Sequence, residues 1–354
     1  MNDNHGAGNI TPGADSGQPG LPHSIGGQSM RASLLFNKAS ARDAAARKHV
    51  PAARSMLPRM LNNRNLLGLL FMLPTAILLL LFLTYPLGLG VWLGFTDTKI
   101  GRVGEWVGLS NYIFLIGDSV AQLSLFNTVF YTVTASVFKF ALGLWLALLL
   151  NRNLPFKSFF RAIVLLPWIV PTALSALAFW WIYDAQFSII SWSLERMGLI
   201  DRYIDFLGVP WMARISTVIA NVWRGVPFVA ISLLAGLQTI PPSLYEAAAI
   251  DGATPWQQFR YVTLPLLTPI IAVVMTFSVL FTFTDFQLIY VLTRGGPLNA
   301  THLMATLSFQ RAIPGGSLGE GAALATMMVP FLLAAIMFSY FGLQRRGWQQ
   351  GGDK

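Results

Sequence analysis

The sequence predicts an all-α integral membrane protein with six transmembrane helices and both termini on the cytoplasmic side. Three observations lead there. Of the 354 side chains, 11% are charged and 54% hydrophobic, whereas a soluble domain carries about 25% charge; the mean hydropathy is +0.57. Six windows reach the roughly 20 apolar residues that a spanning helix needs, and only a helix satisfies its own backbone groups inside hydrocarbon. Lysine and arginine are also unevenly shared between alternate connecting segments, which sets an orientation.

The first span covers Leu66 to Tyr85, where Pro74 should kink it. The second covers roughly Leu125 to Leu150 and contains Lys139. The third, Ala162 to Tyr183, is uncharged and holds Pro167, Pro171, Trp180 and Trp181. The fourth lies near Ala213 to Gly236, with Arg214 at its start and Arg224 inside. The fifth runs from about Leu266 to Leu292 with Asp285 toward its end, and the sixth fills the interval between Glu320 and Arg345. An even number of spans puts both termini on one side.

Fifteen basic residues fall in the N-terminal tail, the second and fourth connections and the C-terminus, against six in the other three loops, which carry eight acids. The richer side is cytoplasmic. The net charge of +9 is therefore a topology signal, not a nucleic-acid footprint. The chain divides into a disordered basic tail (1–64), a first span with its outer loop (65–121), a five-helix core (122–343) and a C-terminal tail (344–354). Ser40 to Val50 could form a short basic helix near anionic lipid, or stay a solvated tail, the favoured reading. The first apolar run starts only at Leu66 and is too long for a cleaved signal, so it is expected to remain as an anchor.

Composition removes several chemistries. There is no cysteine, hence no disulfide, thiolate metal site or cysteine nucleophile. The four histidines (His5, His23, His49, His302) form no zinc-binding pair. None of the six lysines follows a glycine, so the chain carries no phosphate-binding P-loop.

The fourth connection, Pro241 to Leu267, reads as two short helices about a glycine turn. Ser243 with Glu246, and Thr254-Pro255 with Gln257, each fit a capping box. Gly252 falls where the first helix must reverse, Pro265 should end the second, and Ala247 to Ala249 leave a slim surface that another protein's groove could accept.

At these residues the chain resembles the permease subunits of binding-protein-dependent ABC importers, in the sugar-permease group of maltose and glycerol-phosphate type. The signature stands as Glu246-Ala247-Ala248, Asp251-Gly252-Ala253, Phe259 and Leu264-Pro265. A second match is Phe283 to Thr301, similar to a segment of carbohydrate-type members, and a weaker one is Trp106 to Tyr112. The resemblance covers roughly Leu66 to Gly347. It implies a type I ABC importer permease fold in the bacterial inner membrane and a non-enzymatic role. It also implies as partners a second permease, two ATPase subunits that hold ATP and magnesium, and a periplasmic or lipid-anchored solute-binding protein. No cofactor would bind this chain. The loop would be the coupling element, with Glu246 either closing its cap, pairing with a basic residue of the ATPase, or both.

Charges inside spans are costly and need a reading. Lys139 could snorkel or pair within the bundle. Arg224 lines the path or anchors its helix. Asp285 could relay protons in an ion-coupled secondary carrier, but structural pairing is the preferred reading. With Gln287 and Tyr290 it is a candidate for contact with a polyol or sugar, whose hydroxyls need donors and acceptors. Most aromatics, Trp180, Trp181 and Tyr183 among them, are better read as lipid contacts or interfacial belt. The rivals are an ion-coupled carrier and a membrane scaffold, and neither accounts for the loop from Glu246 to Pro265.

Overall fold

The computed structural model describes residues 64–153 and 155–351. The basic tail, its short helix over Ser40 to Val50 and Lys354 lie outside the described residues. The chain divides between Ile77 and Leu78 into two units. In the first, the described residues belong to α1 (Arg64–Leu79), which contains Pro74.

In the second unit the helix continues through a π turn, Leu80–Thr84, into α2 (Tyr85–Gly94). Pro86 explains the wide turn: it has no N–H to donate and its ring collides with the preceding turn, so the ladder loosens just before it. Leu80 to Leu83 are exposed, as an apolar lipid-facing surface is. The loop that follows is tied down by Asn111, which donates to the Gly94 carbonyl (2.9 Å) and the Thr96 carbonyl (2.8 Å), while Trp106 stacks on Phe95.

After α3 (Ser110–Gly117), Asp118 caps α4 (Ser119–Asn151), accepting from the Ala121 amide at 3.1 Å. The third span departs from expectation. It is two helices, α5 (Lys157–Ile169) and α6 (Thr172–Ile182), at 90° to one another. Pro171 is the cause, because a proline pushes its predecessor, Val170, into extended backbone; Pro167 is tolerated inside α5. After a short α7 (Ile189–Arg196), α8 (Pro210–Leu237) follows. Tyr183 is not a belt residue. It is buried and its hydroxyl donates to the Ser216 carbonyl at 3.2 Å, whereas Trp180 and Trp181 are exposed.

The remaining elements are α9 (Pro242–Ile250), α10 (Pro255–Gln258), a second π turn (Phe259–Thr263), α11 (Leu264–Phe283), α12 (Gln287–Leu292), α13 (Met304–Ala312) and α14 (Leu318–Gly351). Five stretches are long and apolar enough to cross a membrane, and a sixth if the bent α5–α6 pair is one span.

The α4–α8 pair is the spine, with α11 packed on both. Gly143 makes the crossing close, since a Cβ there would stand 2.7 Å from Val229 Cγ1. Around it Ala147, Leu150, Leu233, Leu237 and Leu267 bury themselves almost completely. At the other end of α4, Arg311 pairs with Asp118 (2.5 Å) and Glu320 (3.3 Å), joining α13 and α14 to the start of α4.

Candidate translocation cavity and coupling loop

A cavity of about 640 Å³ opens between α4, α8 and α11, with Trp168 and Thr172 of the broken span on its wall. The fifth span is interrupted there. Helix α11 ends at Phe283, and Asp285 occupies the step before α12. The buried Asp285 carboxylate takes three neutral donors: Tyr131 Oη at 2.8 Å and Asn221 Nδ2 at 3.0 Å on Oδ2, and the Leu288 amide at 3.3 Å on Oδ1. Among the described residues it makes no ion pair, and its structural partners are neutral. Two neutral donors meet Oδ2 and one meets Oδ1.

Lys139 does not snorkel. It is buried, and its ammonium donates to Thr282 Oγ1. Room for its stem comes from Gly225, where a Cβ would lie 2.3 Å from Lys139 Cδ. Arg224 follows Asn221 by three residues, so one helix face presents both. Its Nε is buried without a hydrogen-bond partner, and its guanidinium lies 5.9 Å from the centre of the Trp168 ring.

Of the residues proposed for the path, Asp285, Gln287 and Arg224 meet at this cavity. Tyr290 does not. It stacks on Phe286 (5.0 Å) and meets the edge of Phe309 (5.3 Å), and it borders a separate cavity with Arg294, Asn299 and His302. Sequence reasoning missed Tyr131, Asn221, Thr282 and Gly225. Asn221 had a signal, its one-turn offset from Arg224. Tyr131 and Thr282 had none, because their partners are 154 and 143 positions away.

The loop between the fourth and fifth spans forms its glycine turn as expected. Gly252 has φ +78°, its amide donates to the Ala249 carbonyl (3.1 Å), and the Ala253 amide donates to the Ala248 carbonyl (2.9 Å). The second capping box is present: the Thr254 amide donates to Gln257 Oε1 (2.7 Å) and the Gln257 amide to Thr254 Oγ1 (3.4 Å). The first is not. Pro241 is the N-cap and Pro242 begins α9, which places Ser243 and Glu246 two positions too far in to form the box.

Pro265 does not end the second helix either. The π turn absorbs it, as the first π turn absorbs Pro86, and the helix runs on from Pro255 to Phe283. Tyr245 Oη and Thr263 Oγ1, 3.0 Å apart, clip α9 to that turn. Glu246, Ala247, Asp251 and Gly252 are exposed, as is Pro265; Ala248, Ala253, Phe259 and Leu264 are partly covered. Ile250 (86%) and Trp256 (66%) add exposed apolar area to the same loop.

Comparison with known proteins agrees with this architecture. Residues 139–349 match the family described as binding-protein-dependent transport system inner membrane component. The chain is 36% identical to the trehalose/maltose transport system permease protein MalF of Thermococcus litoralis over 79% of its own length and 95% of that protein's. It is 34% identical to the sulfoquinovosyl glycerol transport system permease protein SmoG of Agrobacterium fabrum, covering 75% of this chain and 86% of that one. For the trehalose transport system permease protein SugA of Mycobacterium tuberculosis the identity is 30%, over 81% and 92%. Among solved structures, a chain of a bacterial ABC transporter involved in import of the acidic polysaccharide alginate shares the fold, with a TM-score of 0.70 and 24% identity over 80% of this chain and 96% of its own. The chain thus belongs to the inner membrane components of binding-protein-dependent transport systems, multi-pass transport subunits and not enzymes.

Proposed function

We propose that the chain forms half of the translocation path of an ATP-driven carbohydrate importer and takes its power stroke through the loop from Pro241 to Pro265. One observation carries this reading: a single helix joins the loop to the cavity. From Pro255 to Phe283 it is unbroken apart from the π turn, a length of roughly 40 Å at 1.5 Å per residue, and Asp285 sits just beyond its far end. A displacement at the exposed loop is thereby transmitted to the cavity wall. The two acids of the loop, Glu246 and Asp251, offer charge to a basic docking cleft.

Two ATPase subunits would grip this loop and its counterpart on a second permease, and both termini would lie on their side of the membrane. A solute-binding protein, periplasmic or lipid-anchored, would deliver cargo from the opposite side. ATP and magnesium belong to the ATPase. Its closure supplies the differential binding energy that shifts the inward- and outward-facing populations. Carbohydrate cargo is supported by the transport systems named for the relatives, and by a cavity wall that mixes aromatic faces with amide, guanidinium and carboxylate groups.

Uptake in right-side-out vesicles from cells expressing the whole operon provides the test. An ATP-driven importer stops when ATP is depleted at constant membrane gradient. An ion-coupled carrier continues under that condition and stops when the gradient is collapsed.

A further inference from the structure

We infer that the cavity takes a saccharide bearing one singly charged anionic group, such as a uronate or sulfonate sugar. This rests on reading the cavity as the cargo path. Three charged side chains line it: Lys139, Arg224 and Asp285. Two are positive and one negative, inside a region where an unpaired charge is expensive and where ionisable groups face a partner or a cavity. The single acid makes no direct ion pair with either base among the described residues; Tyr131, Asn221 and the Leu288 amide donate to its oxygens, and it can offset at most one of the two positive charges.

The bases remain donor-rich. Lys139 has three N–H groups and hydrogen-bonds Thr282, while Arg224 has five and its buried Nε has no partner. The cavity therefore presents unused donors and one positive charge in excess, at a size within the roughly 300–1,000 Å³ of ordinary ligand pockets. A cargo with one negative charge supplies the missing partner and charge-assisted hydrogen bonds with it. The rest of the cargo meets aromatic surface: Trp168 stacks on Phe228 at 5.0 Å, and Phe281 meets Phe228 edge-on at 6.4 Å. Gln287, also on the wall, offers both a donor and an acceptor for hydroxyls.

The test uses a pair of probes that differ in one charge, methyl glucoside and methyl glucuronide, with the full-length chain in lipid nanodiscs. Binding is read by ligand-detected NMR titration. The glucuronide should bind at least tenfold more tightly than the glucoside. Arg224→Gln should reduce that preference to less than about twofold, Arg224→Lys should keep most of it, and Lys139→Met should weaken it. The conservative lysine variant separates loss of charge from loss of fold.

Equal affinity for the two probes overturns the inference, because the missing negative charge then comes from elsewhere, for example a facing permease. A preference that survives Arg224→Gln and Lys139→Met overturns it as well. So does failure of both sugars to bind at millimolar concentration. The ATP-driven importer reading stands or falls separately, on the energy dependence of uptake.

Discussion

Tyr131 in the second span donates its phenolic hydrogen to Asp285 in the break of the fifth, across 2.8 Å and 154 positions of sequence. The bond fixes α4 against the step between α11 and α12, both groups being buried. A hydrogen bond to a charged group contributes about 1.5–3 kcal/mol, so Tyr131→Phe should destabilise the chain by an amount in that range. Asp285→Asn tests the same contact from the other side. A double-mutant cycle by thermal unfolding in detergent should show strong coupling between the two changes. Additive effects would mean that the bond contributes nothing beyond the packing around it.

The α4–α8 crossing at Gly143 gives a second expectation. A methyl at Gly143 would meet Val229 Cγ1 at 2.7 Å and the Ala230 amide nitrogen at 3.3 Å. Small residues let membrane helices approach in this way, and overpacking such a site costs about 1–3 kcal/mol. At Gly90, in contrast, no atom lies within 4 Å. Gly143→Ala should lower the melting temperature in detergent, while Gly90→Ala should leave it unchanged or raise it through helix propensity. Equal behaviour of the two variants would contradict the packing at the α4–α8 crossing.

How far the molecule was legible from its residues depended on the range of the interaction. Five spans, the Gly252 turn and the Thr254 cap were readable because each is set by neighbours within one or two helical turns. The third span was legible as an apolar stretch with two prolines, but its 90° bend was not, because apolarity alone cannot distinguish a straight helix from two pieces bent at Pro171. Pro265 was misread for the opposite reason: a proline normally ends a helix, and the π turn that rescues this one has no apolar periodicity of its own. The first capping box failed by two residues, because Pro241 holds the N-cap that Ser243 would have needed. In the cavity, the charged residues stood out because charge is rare inside a span. The neutral residues that hold them, Tyr131, Asn221 and Thr282, became identifiable only once the helices were packed.

The segment after the fifth span is held by side-chain bonds around the buried His302, from which a pH dependence is expected. Asn127 Nδ2 donates to the carbonyls of Asn299 (3.2 Å) and His302 (3.1 Å), and its Oδ1 accepts from Arg214 Nε (2.9 Å). The His302 ring sits under Gly295, where a Cβ would fall 2.2 Å from it, and its Nδ1 is 3.1 Å from Thr306 Oγ1. Burial pushes the His302 pKa below 6.5, so the folded chain prefers the neutral ring. Its contribution to stability is complete above 6.5 and is lost as pH falls from there through the lower folded value. Hydrogen exchange in residues 293–303 should accelerate on that acid side, and His302→Gln should remove the pH dependence. An exchange profile identical in the wild type and the variant would assign the acid sensitivity to another group.

Gly252 provides the most direct functional expectation, because its φ of +78° comes with nothing within 4 Å of an added Cβ. Space does not limit substitution there; the dihedral does. Asparagine tolerates left-handed backbone, whereas a β-branched residue is strained in it, at a cost of roughly 1–2 kcal/mol or more. Gly252→Asn should retain most ATP-dependent uptake. Gly252→Val should distort the turn between α9 and α10, leaving the protein in the membrane at normal abundance while uptake falls and ATP hydrolysis no longer responds to cargo. The loop is exposed, and its neighbours Ile250 and Trp256 point their apolar area outward. The loss should therefore be one of coupling, with little change in thermal stability. The measurements are vesicle uptake and cargo-stimulated ATPase activity on the assembled complex. Full coupling in Gly252→Val would show that the turn is not the element through which the ATPase drives the helix leading to Asp285.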